Sequence, residues 1–220
     1  TAMLDLDHVR VEGTVAGSVG EIEAAIGVVR GAALMDVDTG AIAARVEALP
    51  WVQTADVRRD WPGTLRVDVV ERVPVAVVPA GPGTVGVLDA SSVVIGVEPV
   101  ATAPALPRID VELGVAPGEM QLDATAGLAV VAALPADMGP WVDGILVADG
   151  APTRLTVELV GSAVADLGDT DLLGDKIAAL RAVLAGVDLT CIERIDVSVA
   201  DLPTVTADRG CDGPAATADG

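Results

Sequence analysis

The stretch RRDWPGTLRVDVVERVPVA, Arg58 to Ala76, reads as two strands, a tight turn and an exit through Glu71-Arg72-Val73-Pro74. Its register decides which side chains face a core. A two-residue loop, Pro62-Gly63, sets Val57 against Asp68 and mixes the faces. A three-residue loop, Pro62-Gly63-Thr64, sets Trp61 against Leu65 and Val57 against Val69. It also opposes Arg58 to Asp68 and Asp60 to Arg66, two pairs of opposite charge. The second register is expected, because a slip of one residue turns the apolar set outward. Its glycine falls one place earlier than the usual left-handed position of such a loop.

Alternation then puts Leu65, Val67, Val69, Glu71 and Val73 on one face. Glu71 ends an apolar row, so its carboxylate is expected at a wet edge or held by a partner such as Arg59 or backbone amides. Glu71, Arg72 and Pro74 read as a structural junction between two modules. No second acid or base converges on Glu71 in sequence, as catalysis would need.

Working back from the hairpin, HVRVEG (His8 to Gly13) alternates like a strand and stops at glycine. Ser18 precedes Glu21 by three residues, the spacing of a capping box. Ile22, Ile26 and Val29 follow at helical spacing, and Gly31 closes that helix. Asp38 or Thr39 caps a second helix with an apolar stripe of Ile42, Val46 and Leu49, ended by Pro50. The order is β-α-α-β-β.

Working forward, VAVV, TVGVLDA and SVVIGV are short strands split by turns. Glu98 to Gly118 is Pro-rich and expected to be ordered only in part. Leu128, Val131 and Leu134 predict a short helix before Pro135. WVDGILVAD and TRLTVELV read as paired strands, followed by SAVADLG. Asp169 to Ala185 is a helix with Leu173, Ile177, Leu180 and Leu184 as its buried stripe. CIERIDVSVADLPTV returns to a strand alternating at Ile195, Val197 and Val199.

Composition narrows the function. The 220 residues are 51% hydrophobic and carry 33 Asp+Glu against 13 Lys+Arg, a formal charge of -20. Such a surface repels phosphate backbones, so no nucleic-acid partner is expected. Phe, Tyr and Asn are absent and Lys176 is the sole lysine, a pattern that high-GC codon bias explains. Cores must then rest on Val, Leu, Ile and Ala, with Trp51, Trp61 and Trp141 as the only aromatics. No apolar run is long enough to span a bilayer. Cys191 and Cys211 match no zinc or redox motif, and their pairing is left open.

Candidate chemistry is sparse. His8 has no nucleophile beside it and no nucleophile elbow appears. DLGDTDLLGD, Asp166 to Asp175, is acidic, but its spacing does not fit an EF-hand, and acids at a helix start suit the helix dipole. Ser91-Ser92 belongs to a turn. Neither a cofactor motif nor a catalytic set is present.

The ordered series VRVEGT, ALPWVQTADVRRDWPGTLRVDVVERVPVAVV, VGVLDASSVVIG, LPRI, SAVADLGDTDLLGDKIAALRAVLAG and ERIDVSVADLPTV resembles the FtsQ/DivIB family of bacterial cell-division proteins, with an actinobacterial composition. The resemblance implies an α+β chain: a POTRA domain over 1–73 and a β domain over 74–206, with two helices on a mainly antiparallel sheet. A disordered tail is expected over 207–220. It also implies a non-enzymatic plasma-membrane protein with one N-terminal transmembrane helix, lost from this sequence. This region would stand outside the membrane at the division septum, where the family joins FtsB and FtsL type partners and helps control septal peptidoglycan synthesis. The family's partner site maps onto Ile195, Asp196, Val197, Ser198, Val199, Ala200, Asp201 and Leu202. These are expected to form a sheet edge that accepts a strand from the partner. The aromatic anchors usual at such a site are missing. Two other readings remain: a POTRA module of a secretion or assembly system binding extended chains, and a cell-wall hydrolase, which would need two converging acids.

Overall fold

The structure, a computed structural model, describes residues 5–13, 19–28, 30–148, 153–187 and 189–207. The expected Ser18 cap and Val29 lie outside them, as do residues 208–220 of the expected tail. The chain divides into two compact units. The first takes residues to Val73 with Val93–Gly96 and Ala116–Glu119, and the second takes the remainder.

The first unit follows the β-α-α-β-β order: β1 (His8–Glu12), α1 (Val19–Ile26), α2 (Thr39–Glu47), β2 (Val52–Asp60) and β3 (Thr64–Glu71). α1 ends at Ile26, well short of Gly31. Asp38, not Thr39, caps α2, its carboxylate accepting from the Ala41 amide at 3.0 Å. β3 lies in the middle, parallel to β1 and antiparallel to β2. Its alternate residues Leu65, Val67 and Val69 are buried with Ile22, Ile26, Ile42 and Val46 in one core. Each such side chain contributes roughly 1.5–3 kcal/mol of burial. Two arginines satisfy carbonyls that helix ends leave open. Arg45 donates to Ala25 and Ile26, and Arg59 donates to Leu34 and Val37.

The hairpin register differs from expectation. The loop is Trp61-Pro62-Gly63, with Asp60 opposite Thr64 and Val57 opposite Val67. The shift is two residues, so the apolar set still faces inward and burial could not separate the two registers. Only the surface charges favoured the other, and exposed pairs contribute about 0–1 kcal/mol. Arg58 therefore stands opposite Arg66, and Asp56 opposite Asp68. Each arginine pairs along its own strand instead, Arg58 with Asp56 and Arg66 with Asp68, and Arg66 also reaches Glu12 on β1 at 2.8 Å. Gly63 is set by close approach rather than by a left-handed turn. A Cβ there would stand 2.9 Å from the Asp5 carbonyl, and the Gly63 carbonyl accepts from the Asp7 and His8 amides.

A nine-stranded sheet follows along the chain: β4 (Pro74–Pro79), β5 (Thr84–Asp89), β6 (Val94–Pro99), β7 (Arg108–Asp110), β8 (Val142–Ala148), β9 (Arg154–Leu159), β10 (Val164–Gly168), β11 (Ile192–Asp196) and β12 (Thr204–Ala207). Their spatial order is β12-β11-β10-β9-β8-β7-β4-β5-β6. The sheet is mixed, with β4/β7, β7/β8 and β10/β11 parallel. Two helices, α3 (Thr125–Ala133) and α4 (Leu173–Leu184), touch each other and pack on the sheet, α3 against β8 and α4 against β10. Period-two burial matches: Leu155, Val157 and Leu159 are inside, as are Ala165, Leu167 and Ile195. The Pro-rich stretch is described throughout and supplies β7.

Candidate functional site

The residues expected to form an open edge are not one. β11 stops at Asp196 and is paired on both sides, in parallel with β10 through Ala165↔Ile195 and in antiparallel with β12 through Ile195↔Val205. Ile195 is buried. Val197 is buried too, and its amide donates inward to the Asp166 carbonyl at 3.0 Å. A donor facing a partner at Val197 is therefore excluded. The chain turns there because Asp196 draws it in: its carboxylate accepts from the Ser198 amide at 2.9 Å and the Ser198 hydroxyl at 2.6 Å. Those two bonds, with Arg194 and Arg154 nearby, hold the Asp196 pKa below its ordinary 3.8.

Residues Val199 to Leu202 form an exposed turn, closed by the Leu202 amide on the Val199 carbonyl. Ser198, Val199, Ala200 and Asp201 line one wall of a groove of about 490 Å³, with Leu172 and Ala179 among the residues opposite. Leu172, Val199 and Leu202 are all exposed.

The sheet edge belongs to β12, which sequence reasoning ran into the preceding strand. All four of its residues are exposed. Among the described residues no strand lies beyond it, and the alternate amides and carbonyls along its outer side are the groups that a further strand would meet. The β-branched run Thr204-Val205-Thr206 was the available signal. On the sheet beside it, the buried Asp166 carboxylate sits between Arg194 at 3.4 Å and Arg154 at 3.9 Å.

The other candidates occupy structural places. Glu71 closes β3 opposite Val52, the Arg72 amide donates to the Trp51 carbonyl, and Pro74 opens β4 opposite Asp89. Arg59 serves the Leu34 and Val37 carbonyls. Asp169 accepts from the buried Lys176 ammonium at 2.7 Å, which lowers the Asp169 pKa, and Asp175 lies in the first turn of α4. Among the described residues, no three His, Cys, Asp or Glu side chains gather as metal ligands, and no helix is long and apolar enough to cross a membrane.

Residues 4–72 match the POTRA domain of FtsQ type. Cell division protein FtsQ of Mycolicibacterium smegmatis is 35% identical over 93% of this chain and 58% of that protein. The chain's first third carries an FtsQ-type POTRA domain, and most of its length is similar to FtsQ. FtsQ of Mycobacteroides abscessus is 32% identical over 93% of the chain and 62% of its own length. FtsQ of Streptomyces bingchenggensis is 29% identical over 94% and 77%. The chain thus spans about three-fifths of the two mycobacterial relatives. Each of these relatives is named a cell division protein.

Proposed function

We propose that this chain is the extracytoplasmic scaffold of a division complex, tied to the plasma membrane by a preceding transmembrane helix. It binds FtsB and FtsL type partners at the septum and helps recruit and regulate peptidoglycan synthesis. The observation that carries the reading is β12, the last strand in the sheet order, with four exposed residues and, among the described residues, β11 as its one strand neighbour. A partner segment adds to that side as a tenth strand, its main chain giving affinity and its alternate side chains register. The turn from Ser198 to Leu202 lies at the start of β12 and supplies apolar contact through Val199 and Leu202, in place of aromatic anchors.

Calorimetric titration of this chain with a soluble extracellular segment of an FtsB-type protein tests the proposal, beside Val205→Pro and Thr206→Pro. In a strand, consecutive amides point to opposite sides, so one of these prolines removes a donor that faces outward. Binding by the wild type that is lost in that folded variant is the expected result. Equal binding by all three moves the site off β12. Binding of unrelated extended peptides with similar affinity would favour a secretion or assembly role.

A further inference from the structure

The outer face of the POTRA sheet carries a charge pattern that the stability of a single copy does not explain. Leu65, Val67 and Val69 turn one side of β3 to the core, so Thr64, Arg66, Asp68 and Val70 stand on the other. The strand register lines them up with their neighbours. Arg10, Arg66 and Arg58 form one row across β1, β3 and β2, and Glu12, Asp68 and Asp56 form the next. Three arginines thus stand side by side in a chain with 13 basic residues and a charge of -20. Like charges directly opposite one another destabilise a sheet, and exposed pairs along a strand return little. Exchanging Arg66 with Asp68 would have put an opposite charge beside every one of the six. The face is also open: the Arg58 and Asp56 side chains are 67% and 53% exposed.

We propose that this banded face docks on the same face of a second copy of the chain. A two-fold axis lying in the contact plane, between the two rows and parallel to them, turns one copy onto the other. Arg10 then meets the partner's Glu12, Arg66 the partner's Asp68 and Arg58 the partner's Asp56. Each pair occurs twice, as an isologous contact requires. The flanking rows bring no like charges together, since Thr64 meets the partner's Val70 and Asp60 the partner's Thr54. An axis along β3 would instead set arginine on arginine, so the pattern selects one arrangement. Donors remain for such a contact. A guanidinium has five N–H groups. Arg66 uses Nε on Asp68 and one Nη on Glu12, and Arg10 enters no ion pair among the described residues. The three strands cover roughly 15 by 17 Å. That is well under the about 800 Å² per partner of a stable complex, so the dimer is a weak one. Elsewhere the two copies repel through their net charge, a repulsion that salt screens beyond about 8 Å. The contact leaves β12 free and does not depend on the scaffold reading.

Sedimentation velocity at rising protein concentration tests the proposal, with two charge-reversed variants whose folding is checked by thermal unfolding. Arg58→Glu with Arg66→Glu makes the face acidic, and Asp56→Arg with Asp68→Arg makes it basic. The wild type should dimerise at high concentration, and each variant alone at least about tenfold more weakly, because like charges then face each other. An equimolar mixture of the two variants should recover association, since an acidic face then meets a basic one. A wild type that stays monomeric up to its solubility limit would overturn the proposal. So would a dimer unchanged in both variants, or a mixture of folded variants that does not associate. Retention of a monomeric wild type on immobilised heparin, lost in Arg58→Glu with Arg66→Glu, would assign the arginine row to a polyanion instead of a second copy.

Discussion

Asp196 and Ser198 show how one side chain can end a strand. The Asp196 carboxylate takes both donors of Ser198, so the backbone leaves the β11 line at the point where alternation alone would continue it to Val199. The Ser198 hydroxyl is the largest cause of the lowered Asp196 pKa. Ser198→Ala should therefore raise that pKa toward 3.8, as read by NMR titration of the side-chain carboxyl carbon. A carboxylate with a depressed folded pKa stabilises the fold above its unfolded value. That contribution fades as pH falls below 3.8 through the lowered pKa. Acid should thus loosen the 196–198 turn at a lower pH in the wild type than in Ser198→Ala. An unchanged pKa in the variant would remove the hydroxyl as the cause.

At the scale of elements, much of the fold was legible because burial and period agree. β3, β9 and α4 each carry an apolar set at the spacing of their own geometry, and the structure buries Leu65, Val67 and Val69, then Leu155, Val157 and Leu159, then Ile177, Leu180 and Leu184, leaving Leu173 half-buried. What was not legible depended on small energies or on neighbours distant in sequence. The hairpin register differed by two residues, a shift that leaves the buried face intact. β12 could not be separated from β11 because the turn between them is made by Asp196, Ser198 and an inward amide at Val197, none of which interrupts the hydrophobic pattern. Another distant contact fixes α3. A Cβ on Gly127 would lie 2.6 Å from Cγ2 of the fully buried Ile109 on β7. Alanine at 127 gains about 1 kcal/mol of helix propensity but overpacks a filled core at a cost of about 1–3 kcal/mol. Gly127→Ala should lower stability, by up to about 2 kcal/mol in urea unfolding. Gly127→Ala with Ile109→Ala should lose less than the sum of the two single changes. Strict additivity would mean that the two residues do not meet.

At the scale of the molecule, the chain leaves the POTRA unit at Val73 and enters the second unit at Pro74. Val73 precedes Pro74, and the proline ring restricts Val73 to extended geometry. Arg72 is bonded to Trp51 on one side of this junction, and Pro74 opens β4 on the other. Pro74→Gly frees the backbone at the first residue of β4 and should lower the stability of the second unit by roughly 0.5–1 kcal/mol in urea unfolding. An unchanged midpoint would show that β4 owes nothing to the proline ring.

The central claim is strand addition at β12. Its most direct measurement is solution NMR of the isotope-labelled chain titrated with an unlabelled extracellular segment of an FtsB-type protein. The account predicts that alternate amides of Thr204–Ala207 become protected and show inter-strand contacts to the segment, while the core of the POTRA unit is undisturbed. Protection confined to another surface, with β12 unchanged at saturation, would contradict it.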